Sequence, residues 1–119
     1  MPGRLSLLVT THRVAPGLLT RPAWQVLDAA DARFSRPGHP LLPALTDAGL
    51  AVATEAPAAP GALARMLLNA AEQSAVVWLV GDDGDPALTE ALAPAIAARA
   101  EGGEEIELEV VHGSYDLPG

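Results

Sequence analysis

The chain has 119 residues, half of them apolar, which is enough for one core and one domain of ordinary size. It contains no Cys, which excludes disulfides, thiolate zinc sites and cysteine nucleophiles. Its seven basic side chains are all Arg, and the formal net charge is −8. No basic face can be assembled for a phosphate backbone, so nucleic acid is not an expected partner.

The apolar run Leu5–Val9 is short and nearly continuous, as in a strand buried on both faces of a parallel sheet. It is too short for the apolar region of a signal peptide. No apolar stretch approaches the roughly 20 residues that span a bilayer, so a cytoplasmic protein with no membrane partner is expected. Thr20 reads as a helix N-cap with Pro22 in the first turn, and Ala23, Val26, Leu27 and Ala30 follow at helical spacing. A helix over about 20–31 is expected. Ala32–Ser35 reads as a brief second strand, Pro37–Pro40 as a turn cluster, and Leu41–Ala48 as a short helix closed by Gly49. Leu50–Thr54 reads as a third strand.

Residues 56–61 form an Ala/Pro/Gly linker between elements. Ala62–Gln73 carries Leu63, Met66, Leu67 and Ala70 on one helical face. Ala75–Val80 is the most apolar strand in the chain and is expected at the sheet centre. After the acidic loop Gly81–Asp85, Pro86 suits the first position of a helix that runs to about Ala100, with Pro94 inside it. Ile106–Val111 alternates apolar and Glu residues, which predicts an outer strand with one wet face. Strands alternating with helices imply a three-layer α/β fold: a five-stranded, mostly parallel sheet with about four helices on both faces.

In such a sheet ligands bind beyond the carboxyl ends of the strands. Three loops are placed there: Thr10–Gly17, Gly81–Pro86 and His112–Asp116. Asp82, Asp83 and Asp85 are oxygen donors of the kind Mg²⁺ takes. The plainer reading, and the preferred one, makes Asp85 an N-cap at the helix dipole and leaves the other two as solvated turn residues. His12 and His112 follow the first and last strands, and either could work with Asp82 in acid–base chemistry. No ligand spacing supports that, and surface or linker histidines are the simpler reading. Thr10–Gly17 has one Gly, whereas a dinucleotide cradle needs three. Glu101–Glu109 contains five Glu, but its later part alternates as a strand. Glu105, Glu107 and Glu109 therefore fall on one solvated face rather than in a metal site.

Several of these segments resemble the N-terminal domain of the tetrapyrrole (corrin and porphyrin) methylases. Leu18-Leu19-Thr20, Ala23, Leu27 and Ala30-Asp31 match that family's opening. Leu79 with Gly84-Asp85-Pro86 matches its Leu-x-x-Gly-Asp-Pro segment with two extra residues, and Val110–Ser114 echoes its fifth strand. The family's Gly-Pro-Gly-Asp cofactor loop is replaced here by Thr10–Gly17. A closer resemblance is to the version of this domain fused in front of MazG nucleoside triphosphate pyrophosphohydrolases of high-GC bacteria. It is carried by Thr11-x-Arg13-Val14-Ala15-Pro16-Gly17-Leu18-Leu19, by Val77–Pro86 and by His112–Gly119.

The resemblance implies a methylase-like α/β domain over residues 1–111, with 112–119 opening a linker to a helical MazG domain that is absent here. Mg²⁺ and hydrolysis belong to that downstream partner. The chain itself is expected to be a degenerate accessory domain, non-catalytic on its own and without a cofactor, in which a homo-oligomer is one form of association. The alternative is half of an S-adenosylmethionine-dependent methyltransferase. The cofactor-facing positions would then be Thr10, Thr11, His12, Gly81, Asp82, Gly84, Asp85, Pro86, Gly113 and Ser114.

Overall fold

The computed structural model describes residues 3–9, 21–39, 42–72, 74–80, 85–103 and 105–112. In chain order the elements are β1 (Gly3–Val9), α1 (Arg21–Ala29), β2 (Ala32–Phe34), α2 (Leu42–Asp47), α3 (Pro60–Ala70), β3 (Ala75–Leu79), α4 (Pro86–Glu101) and β4 (Ile106–His112). The strands form one sheet in the order β2-β3-β1-β4. Every pairing is parallel, with Leu5 level with Val76 on one side and with Leu108 on the other.

The two inner strands, β1 and β3, are the continuous apolar runs, because both of their faces are covered. The pleat divides their side chains between two cores. Leu5, Leu7, Val76 and Trp78 join Leu63, Leu67 and Leu68 of α3 and Leu88 and Leu92 of α4. Leu8, Val77 and Leu79 join Ala23 and Leu27 of α1 and Leu45 of α2 on the other face. The chain is thus a three-layer α/β domain among the described residues. Leu27, Leu63, Leu67 and Trp78 are fully buried. Each such side chain contributes about 1.5–3 kcal/mol by leaving water.

Gly3 enters the sheet where a Cβ would collide with the Ala71 carbonyl, so no larger residue fits there. Gly49 ends α2 at φ 81°, the left-handed conformation expected of a C′ glycine.

Four strands are described, not five. The segment expected as a strand over Leu50–Thr54 makes one isolated parallel bridge, between Ala53 and Phe34. Two backbone bonds form it, Ala53 N–H to Arg33 O at 2.9 Å and Ser35 N–H to Ala53 O at 3.0 Å. β2 is only three residues long and offers no longer ladder. The Arg33 guanidinium then takes the Ala51 carbonyl at 3.1 Å, a group that a strand would have used. The same guanidinium is fixed there by Nη1, which donates to the Leu27 and Ala30 carbonyls at the end of α1. The helix expected from Ala62 begins at Pro60, again a proline in the first turn.

Among the described residues no helix is long and apolar enough to cross a membrane.

Candidate functional site at the carboxyl end of β3

α1 follows β1 on one face of the sheet, and α4 follows β3 on the opposite face. β1 and β3 are neighbours, so the connections diverge between them, and the crevice beyond their carboxyl ends is where a sheet of this kind holds ligands. Of the candidate residues for this crevice, Thr10, Thr11, His12, Gly81, Asp82, Asp83, Gly84, Gly113 and Ser114 lie outside the described residues. His112 closes the β4 ladder opposite Val9. Asp85 and Pro86 are described, and they anchor the site.

Pro86 opens α4 as expected. Asp85 occupies the N-cap position, but its side chain makes no capping hydrogen bond. This corrects the capping role expected for it. The cause is tertiary. Asp85 adopts φ 48° and ψ 55°, the only positive φ of a non-glycine among the described residues. Asp tolerates that region better than most residues because its short polar side chain can bond nearby groups. In this conformation the carboxylate turns inward, and the residue is 6% exposed. Oδ2 accepts the Trp78 indole N–H at 3.1 Å. Oδ1 accepts a charge-assisted bond from Arg36 Nη1. The Asp85 carbonyl takes the Thr89 amide and hydroxyl, each at 3.1 Å, which ties the first turn of α4 without the side chain.

Arg36 closes the triangle. Its guanidinium carbon stands 5.2 Å from the Trp78 ring centroid, within cation–π range. Its side chain is 43% exposed, so one side of the guanidinium is wet while the other covers the indole. Ser35, fully buried, holds the backbone at this point through Oγ to the Arg36 carbonyl at 2.8 Å. His39 Nε2 lies 3.0 Å from the Val80 carbonyl and fastens the turn after β2 to the end of β3. The chain thus brings β2, β3 and the start of α4 together around one buried carboxylate.

Trp78, Arg36 and His39 did not stand out as site residues in the sequence. One signal was present: a lone Trp in the most apolar strand has an N–H that needs a partner when buried. The nearest acids downstream are the loop aspartates.

Chemically, the arrangement is better suited to holding structure than to reacting. Each carboxylate oxygen of Asp85 already has a donor, and the Arg36 guanidinium beside it opposes a second cation. Among the described residues no group of three His, Asp or Glu side chains is placed to hold a metal ion. A separate cleft of about 350 Å³ lies between α1 and the amino-terminal half of the sheet, lined in part by Arg4, Ser6, Gln25, Val26 and Glu109. Three of its polar groups are joined, Ser6 Oγ donating to Glu109 at 3.3 Å and Arg4 standing 3.8 Å from the same carboxylate. Comparison of the chain with protein-family models, with curated proteins and with solved structures returns no match.

Proposed function

We propose that this chain is a degenerate tetrapyrrole-methylase-like domain that serves as the leading, accessory part of a MazG-type nucleoside triphosphate pyrophosphohydrolase and has no catalysis of its own. In that role it supports the helical hydrolase domain, which would bind Mg²⁺ and carry the reaction. The segment around Ala53 then stands as the remnant of the third strand expected over Leu50–Thr54.

The observation that carries the reading is the state of Asp85. It belongs to the Gly84-Asp85-Pro86 segment that the methylase resemblance would turn toward a cofactor. Its carboxylate instead spans Trp78 and Arg36 inside the protein. A residue committed in this way stabilises the end of β3 and offers little to a ligand. The replacement of the family's glycine loop by Thr10–Gly17 supports the same conclusion from the sequence.

Two assays test it. The purified chain, mixed with nucleoside triphosphates and Mg²⁺, should release no pyrophosphate. Titration calorimetry with S-adenosylmethionine should show no heat of binding at millimolar ligand. Turnover in the first assay contradicts the non-catalytic reading. Saturable binding in the second favours the alternative, half of an S-adenosylmethionine-dependent methyltransferase.

A further inference from the structure

β4 pairs with β1 along one side, and among the described residues no strand pairs with its other side. Such an edge presents a row of backbone N–H and C=O groups to any extended chain that can match it. The side chains of β4 are sharply divided. Leu108 and Val110 are the exposed large hydrophobics among the described residues, at 40% and 54%. With Ile106 they form an aliphatic row on the face covered by α3 and α4, level with Gly3, Leu5 and Leu7 of β1. Glu105 precedes the strand, and Glu107 and Glu109 stand on the opposite face, level with Arg4 and Ser6.

This division selects the occupant. A second copy that placed aliphatic row on aliphatic row would set Glu against Glu across the new strand pair. Like charges directly opposite destabilise a sheet, and the chain's net charge of −8 adds to the repulsion. An extended segment that alternates Lys or Arg with aliphatic residues meets both rows. Its cations would extend the ladder that Arg4 begins with Glu107 and Glu109. Its aliphatic side chains would cover Leu108 and Val110.

We propose that the free edge of β4 receives an extended strand from a basic partner protein by β-augmentation. Backbone bonds supply the affinity, and the Glu row sets the preference for positive charge.

The test uses the whole chain and two synthetic peptides of about nine residues, the length of a strand, one alternating Lys with Val and one alternating Glu with Val. Amide spectra and amide exchange are followed along the chain. The Lys peptide should shift and protect the amides of residues 106–112, and the Glu peptide should not. Affinity for the Lys peptide should fall several-fold when Glu107 and Glu109 are both changed to Gln. Glu107 is exposed and Glu109 half-buried, and a melting curve confirms that the variant is folded. Three results overturn the proposal: equal binding of the two peptides, perturbation spread over other acidic surfaces with none at 106–112, or a concentration-dependent dimer of the chain alone that Val110→Lys abolishes. The last would make a second copy the occupant.

Discussion

Two acid–arginine pairs sit at opposite ends of the same sheet and behave as opposites. Arg36 and Asp85 meet beyond the carboxyl end of β3, with the Asp buried and an indole N–H on its second oxygen. Arg4 and Glu107 meet on the surface between β1 and β4, at 3.2 Å, with side chains 50% and 64% exposed. In the sequence both acids belong to conspicuous acidic runs, Gly81–Asp85 and Glu101–Glu109. Solvent decides what each can do. The surface pair exchanges good water contacts for each other, and measured pairs of that kind contribute about 0.2–1 kcal/mol. The buried carboxylate has left water, so losing one of its protein partners costs more than the same loss at the surface. Asp85 of the first run shapes the fold, and Glu107 of the second presents charge to solvent.

The comparison breaks most visibly at Trp78. Trp78→Ala empties a fully buried site in the core against α3 and α4 and removes the donor to Asp85. We expect a loss of about 3–5 kcal/mol in denaturant unfolding. A loss below about 1 kcal/mol would place the indole outside the load of the fold. Asp85→Ala comes next. It strands the Trp78 N–H, removes the partner of Arg36 and puts an alanine at φ 48°, for an expected cost of about 2–3 kcal/mol in the same measurement. Asp85→Asn should cost less, because an amide oxygen still accepts from the indole and Asn tolerates the left-handed region.

Double-mutant cycles sharpen the contrast further. The Arg36–Asp85 cycle should give a coupling above about 1 kcal/mol that changes little with salt. The Arg4–Glu107 cycle should stay within about 0.5 kcal/mol and shrink toward zero as salt is raised. Equal couplings in the two cycles would remove the distinction drawn from burial.

How much of this was legible in the sequence follows the same division between local and distant causes. β1 and β3 announce themselves as apolar runs, α3 by the spacing of Leu63, Leu67 and Ala70, and the start of α4 by Pro86. The alternation from Ile106 to Val111 places β4 at an edge with Glu107 and Glu109 wet, and the sheet order agrees. These are local or periodic signals. The strand expected over Leu50–Thr54 failed because its partner β2 is short and Arg33 claims the Ala51 carbonyl. Asp85 was rightly set at the head of a helix, yet its side chain follows contacts that no local rule contains. Trp78 lies seven residues back, and Arg36 lies 49 away. That pairing depends on β2 and β3 being neighbours, a fact about sheet order.

The Asp85 carboxylate is held by Arg36 and Trp78, and we propose that it serves the fold and not a metal ion. Thermal unfolding of the wild type and of Asp85→Asn, each with and without Mg²⁺, tests it most directly. Anything that binds the native state raises its melting point by mass action. Asp85→Asn should lower the melting point by about 4 °C per kcal/mol lost, and Mg²⁺ should move neither protein. A rise in the wild type on adding Mg²⁺, absent from Asp85→Asn, would contradict it.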